Sequence, residues 1–213
     1  KVAYFAVPIM PIYDYENEWA YPTKYASAEL IGFRDGKNPF PIMEFNKNEL
    51  KQRKVLANFY VQLDLIPQKL SFQTTYNLGA TFQNDRNVDL PYFLTNDAKN
   101  VTSALIRKNE TFFNQIWDNV LTYNESFGNH FFTVMAGASF RDEAWEMLKA
   151  RGEGLLTPFQ EKSWYLRQAN TIKTEDVDDD AAHNYGMSYF GRVSYNFNDR
   201  YLLYGTFRAD GTS

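Results

Sequence analysis

The chain has 213 residues, enough to bury a sizeable core as one or two domains, and it contains no cysteine, which excludes a disulfide scaffold and a Cys-based metal site. Its formal net charge of −4 argues against a dedicated nucleic-acid binder, which would carry a basic patch. Aromatic residues are abundant, with 18 Phe and 15 Tyr, yet no apolar run approaches the length of a membrane-spanning helix. Alternating strands evade that test, so the membrane is not excluded.

Residues 1–51 read as irregular. Val7-Pro8, Met10-Pro11, Tyr21-Pro22, Asn38-Pro39 and Phe40-Pro41 bias the backbone toward extended or turn geometry and break helices, while residues 1–6 read as the end of an earlier strand. A hairpin is expected over 52–82. Arg53, Val55, Ala57, Phe59, Val61, Leu63 and Leu65 share one face, and Lys54, Asn58, Tyr60, Gln62 and Asp64 the other. Pro67-Gln68-Lys69 turns the chain, and Leu70, Phe72, Thr74, Tyr76, Leu78 and Ala80 continue the apolar face. Both strands exceed the roughly 9–11 residues that cross a bilayer at a tilt, whereas a globular strand is commonly about 5–6.

Residues 83–110 read as a polar loop, and 111–140 as a second, noisier hairpin turning at Ser126-Phe127-Gly128-Asn129. There Phe132, Val134, Ala136 and Ala138 share the apolar face, and Met135 and Phe131 fall on the wetter one. From 141 to 185 alternation is lost. Asp142 to Arg151 reads as a short helix stopped by Gly152, and Trp164, Tyr165 and an acidic run from Glu175 to Asp180 follow in a loop. The last hairpin, 186–213, alternates again: Tyr189, Gly191, Val193, Tyr195 and Phe197 oppose Phe190, Arg192, Ser194 and Asn196, and an Asn-Asp pair makes the turn. Short turns alternating with long loops are the pattern of an outer-membrane barrel, and Tyr195, Phe197 and Tyr201 fall where an aromatic girdle belongs.

Chemistry-bearing residues are few. His130 and His183 sit in no metal-ligand spacing, and Asp176, Asp178, Asp179 and Asp180 lack the glycine and terminal Glu of an EF-hand loop, so the acidic run reads as solvated. No catalytic, cofactor or metal residue is expected, and the chain is not read as an enzyme. Trp145, Trp164 and Tyr165 are the candidate ligand or partner contacts, because ring faces in loops can stack on sugars or pack the loop itself. Arg192, Arg208 and Asp210 are the candidate inward-facing polar residues of the last hairpin, suited to an ion pair inside a barrel.

The string S-Y-F-G-R-V-x-Y at Ser188 to Tyr195, followed by R-Y-L-L-x-x-x-x-R-A-D-G at Arg200 to Gly211, resembles a barrel hairpin of SusC-like TonB-dependent outer-membrane transporters. The stretches PIYDYENEW, KNPF and LTYNESFGNHFFTVMAG are similar to other parts of that family, more weakly. The resemblance implies an all-β fold, about six to seven strands of a 22-stranded antiparallel transmembrane barrel, with short periplasmic turns and long extracellular loops. Residues 1–213 would then be a fragment of one barrel domain, with the plug domain outside this chain. It also implies location in the bacterial outer membrane and active import of an oligosaccharide or a peptide. The implied partners are a SusD-like surface lipoprotein, the TonB complex acting on the plug, and outer-membrane lipid. The competing reading is a soluble β-sandwich carbohydrate-binding module, which requires shorter strands and no lipid-facing aromatic belt.

Overall fold

A computed structural model describes residues 9–33 and 38–213; the strand end expected over residues 1–6 and the Val7-Pro8 pair fall outside them. The architecture is mostly β. Six long strands form one antiparallel sheet in the order β1-β2-β5-β6-β7-β8: β1 (Asn46–Ile66), β2 (Leu70–Asp89), β5 (Ala104–Phe127), β6 (His130–Leu155), β7 (Ala169–Phe197) and β8 (Tyr201–Thr212). A small ladder of β3 (Tyr92–Phe93) and β4 (Lys99–Asn100) lies between β2 and β5 in sequence. The three turns are tight, and the residues at their corners, Gln68, Gly128, Asn198 and Asp199, take positive φ. The Asn198-Asp199 pair suits this, because short polar side chains tolerate the left-handed region.

The strands run further than alternation alone predicted. β6 continues through Asp142–Arg151, so the expected short helix there is strand, and β7 begins at Ala169 and carries the acidic run within it. The stretches 83–89 and 104–110 are likewise strand, leaving 90–103 and 156–168 as the long connections. Period-two patterning arises only where one face meets an apolar phase and the other does not. Strands of up to 29 residues, at about 3.3 Å per residue, outrun any bilayer, and their far ends carry no such demand.

Two compact units partition the described chain. The first comprises Lys1–Lys51, Gln83–Asn109 and Met147–Asp179. It has a conventional core: Ala20, Tyr25, Phe45, Val88, Leu90, Leu94, Leu105 and Leu155 are buried together, with Tyr92, Trp164 and Leu166 packed against them. The stretch read as irregular contains helix α1 (Pro39–Phe45). Asn38 caps it, its Oδ1 accepting from Phe40 N at 3.1 Å, and Pro39 occupies the first turn, where a missing N–H is harmless. The Asn38 amide donates in turn to the carbonyls of Ala26 (2.8 Å) and Ile12 (3.3 Å), tying the preceding segment to the cap.

Tyr25 sits in this core, stacked on Tyr13 and edge-on to Phe45, and its hydroxyl donates to Glu44. Burial, then the Glu44 carboxylate, pushes the phenol well above its ordinary 10.0. Below pH 10 both the folded and unfolded phenols are protonated and the contribution is complete; above it only the unfolded chain ionises, so stability is lost as pH rises toward the folded value. Alkaline unfolding of the first unit is therefore expected to steepen above that pH, and Tyr25→Phe, followed by tyrosinate absorbance and circular dichroism, to flatten the dependence.

The second unit comprises Gln52–Phe82, Glu110–Glu146 and Asp180–Ser213. Among its described residues Ala80 is the one buried hydrophobic side chain. Its large apolar residues are exposed instead, Phe59, Val61, Tyr189, Val193, Leu203 and Phe207 among them. A sheet with no core of its own and an exposed apolar face needs an apolar phase to cover it. On the other face Gly137 lies under the Phe190 ring, and a Cβ there would overlap it and meet Asn119 O at 3.0 Å. Gly137→Ala is expected to cost about 1–3 kcal/mol in denaturant melts of the membrane-reconstituted protein, and Phe190→Ala in the same chain to recover most of it.

Candidate functional surfaces

The final hairpin places its residues by register. Tyr195 opposes Leu203, Val193 opposes Gly205 and Gly191 opposes Phe207, whereas Ser188 opposes Asp210, Phe190 opposes Arg208 and Arg192 opposes Thr206. Directly opposed residues share a face, so this assigns one apolar and one mixed polar face as expected from the alternation.

On the polar face Asp210 accepts from Arg208 Nε at 2.9 and 3.0 Å and from the Ser188 hydroxyl at 2.5 Å, and Arg208 Nη2 reaches Ser188 Oγ at 3.2 Å. The structure therefore brings Arg208 and Asp210 together; Arg192 shares their face but lies beyond the cluster, opposite Thr206. Ser139 donates to Asp118 at 2.5 Å, Asn114 to Glu143 at 3.3 Å, and Arg141 approaches Glu143 at 3.8 Å. A cavity of about 300 Å³ opens among Ile116, Ser139, Arg141, Ser188, Arg208 and Asp210. Carboxylates on this face are thus met by hydroxyl, amide and guanidinium donors, which makes it the polar face of the sheet.

The apolar face is closed near the turns by rings. His130 stacks on Tyr195 and hydrogen-bonds its hydroxyl at 2.8 Å, Phe132 packs on Tyr195 at 4.8 Å, and Phe197 lies against His130 (4.7 Å) and Tyr201 (6.4 Å). Amphipathic rings with one polar handle suit a membrane–water interface. Polar groups on the same face are satisfied sideways: Trp117 Nε1 donates to Thr74 Oγ1 at 2.8 Å, and Thr74 to Asn119 at 2.9 Å.

The three candidate contact aromatics separate. Trp145 lies in β6, not in a loop, tilted on Phe112 at 6.5 Å with Nε1 3.4 Å from Glu110. In the first unit Trp164 donates to Pro158 O at 2.7 Å, packs on the core, and lies under the Arg86 guanidinium at 5.5 Å. That guanidinium also bridges Glu49 (2.5 Å) and Glu161 (3.1 Å), which ties the 156–168 connection to β1. Tyr165, next in sequence, is exposed. Sequence reasoning missed Trp19, which is 81% exposed and borders a cleft of about 690 Å³ with Asn17, Glu29, Phe93, Thr95 and Asn96. The single signal available was a tryptophan in a Pro- and Tyr-rich segment, which carries no geometry.

In the acidic run Asp176 meets Arg151 at 3.5 Å, and strand alternation sends Asp178 and Asp179 to opposite sides. Among the described residues no group of three or more His, Cys, Asp or Glu is placed to hold a metal ion.

No family model matches the chain. Curated relatives do: it is 25% identical to TonB-dependent receptor P26 of Formosa agariphila over 97% of the chain and 20% of the relative, and 26% identical to TonB-dependent receptor P3 of the same organism over 84% and 17%. The chain thus spans about a fifth of the length of the relatives it matches. Among solved structures, the RagAB peptide transporter superposes with a TM-score of 0.73 at 14% identity, covering 88% of this chain and 20% of that one. The RagAB peptide importer in its closed-closed state superposes at 0.72 over 92% of this chain. These likenesses rest on the six-stranded sheet, which aligns with part of the receptor barrel. The chain is thus similar to part of a TonB-dependent receptor: the curated relatives it matches carry that name, and its six-stranded sheet has the fold of part of a receptor barrel.

Proposed function

We propose that residues 1–213 belong to one barrel domain that imports a nutrient across the outer membrane, driven through a plug segment by the TonB complex and covered outside by a SusD-like surface lipoprotein. The observation that carries this is the second unit: long antiparallel strands joined by tight turns, with an exposed apolar face and no core of their own. A soluble carbohydrate-binding sandwich would have paired that face with a second sheet. In this reading Arg192, Arg208 and Asp210 face the barrel lumen. The nutrient is an oligosaccharide. Support comes from the Trp19 cleft, where an exposed indole beside Asn17, Glu29 and Asn96 offers a ring to stack on and amide and carboxylate groups for hydroxyls. A peptide is the second reading, favoured by the RagAB peptide transporter as a structural neighbour.

The test is uptake by cells expressing the full-length receptor, with labelled oligosaccharide and peptide mixtures offered separately, with and without TonB. TonB-dependent oligosaccharide uptake that falls in Trp19→Ala while peptide uptake stays at background supports the reading. TonB-dependent peptide uptake alone replaces it with the second, and uptake of neither class by an assembled receptor overturns the import proposal.

A further inference from the structure

We propose that a cavity in the first unit, lined from α1, β2 and β6, binds a primary ammonium group, with Asp89 as its counter-ion and the Arg151 Nε–H donating to an oxygen that stands beside the ammonium in the same ligand. Binding there does not need transport, so the proposal stands or falls apart from the import reading.

The cavity measures about 290 Å³, at the lower end of small-molecule sites, and its residues come from three separated stretches of chain, all within the first unit. Phe45, Leu90 and Ala104 form its apolar wall; all three are buried, and Tyr92 stacks on Phe45 at 5.3 Å. Asn46, Asp89, Asn100, Thr102, Arg151 and Glu153 form its polar wall.

The three charged groups are not equally engaged. Glu153 is paired twice, with Arg151 Nη2 at 2.9 Å and with Lys173 at 3.3 Å. Arg151 is paired at both terminal nitrogens, Nη1 lying 3.5 Å from Asp176. Asp89 differs. It accepts from the Asn46 amide at 2.5 Å and has no ion pair among the described residues. A neutral amide leaves its negative charge in place, and that charge is felt nearby: burial, and next the Asp89 carboxylate, hold the Tyr92 phenol above its ordinary 10.0. A carboxylate without a cation, beside a wall that excludes water, selects a cation. A metal ion is the poorer match, because no group of three or more His, Cys, Asp or Glu among the described residues is placed to hold one.

Arg151 supplies the second half of the recognition. Its Nε is buried with no hydrogen-bond partner among the described residues, although both terminal nitrogens are engaged. A buried donor left unpaired is costly, and an oxygen carried by a ligand satisfies it. The guanidinium charge is already balanced by Glu153 and Asp176, so it does not oppose an ammonium at Asp89. An ammonium with an adjacent oxygen occurs in amino sugars, as the neighbouring hydroxyl, and at the amino terminus of peptides, as the first carbonyl.

The test titrates the full-length receptor in detergent, by calorimetry, with two pairs of probes: the glucosamine disaccharide against its N,N′-diacetyl form, and trialanine against N-acetyltrialanine. In at least one pair the free amine is expected to bind about tenfold more tightly than its acetylated partner, and Asp89→Asn to remove that preference. Preference in the sugar pair alone assigns an amino sugar, in the peptide pair alone an amino terminus, and in both pairs the ammonium as such. No preference in either pair overturns the site without recourse to a variant. A preference that survives in Asp89→Asn, in receptor with the parent's heat-modifiable mobility, overturns the assignment of Asp89. The role of Arg151 is read from two small competitors that differ by one hydroxyl: trans-2-aminocyclohexanol is expected to bind about threefold more tightly than cyclohexylamine, and equal binding overturns that role. Amine binding that persists in a receptor importing nothing rejects the import reading alone.

Discussion

Val61→Arg is expected to cost about 2–4 kcal/mol and to deplete the full-length receptor from the outer membrane, because a guanidinium at mid-depth in hydrocarbon has neither water nor a partner. Val61 shares the apolar face with Phe59 and Leu63, and all three side chains are exposed. It stands several residues up β1 from the tight turn at 67–69, which puts it near the middle of the apolar band. Leu203 shares the same face by its pairing with Tyr195, yet it lies in the aromatic row beside the turn. Leu203→Arg is accordingly expected to cost only about 0–1 kcal/mol, since an interfacial arginine extends into water. Unfolding from lipid vesicles by guanidinium chloride measures both, and the contrast between them reads depth as well as face. Equal penalties at the two sites would contradict the orientation of the sheet.

Leu105→Ala is expected to destabilise the first unit by about 2–5 kcal/mol while the second retains its strands, because the two units are held by different physics. Leu105 and Val88 are fully buried, and the surrounding core draws on three separated stretches of chain, including Tyr25, Phe45, Leu94 and Leu155. Deleting the isobutyl group leaves a cavity in the buried cluster of the first unit. Limited proteolysis of intact cells carrying the full-length receptor is the readout. Cleavage within 9–33 or 156–168 is expected to accelerate, whereas heat-modifiable mobility of the barrel, a report on its strands, is expected to be unchanged. Loss of both together would mean that the buried cluster and the sheet unfold as one unit.

Legibility followed the environment of each residue. In 52–66, 70–80 and 186–209 each side chain has one of two solvents, so identity alternates with direction and both strand and face could be read from the letters. The same rule failed at 142–151. There β6 continues, but Arg151 pairs with Glu153 and Asp176, Glu153 with Lys173, and Met147 is buried, so no face is uniformly apolar. A strand whose two sides are both polar has no period to display, and helix propensity filled the gap. The girdle rings Tyr195, Phe197 and Tyr201 were legible because they bracket a turn. His130 joins them only through the pairing of β6 with β7, which sequence position does not reveal.

By itself the sequence determined the all-β class, the tight turns, the lipid-compatible face and the family resemblance carried by Ser188–Gly211, because each of these is written in local identity and period. Tertiary structure alone decided where the buried core lies, that Trp164 is held by Arg86 and Pro158, and that Trp19 stands exposed beside a cleft. Those facts depend on strands and connections distant in sequence arriving side by side, and burial is a property of that arrangement rather than of any residue's own chemistry.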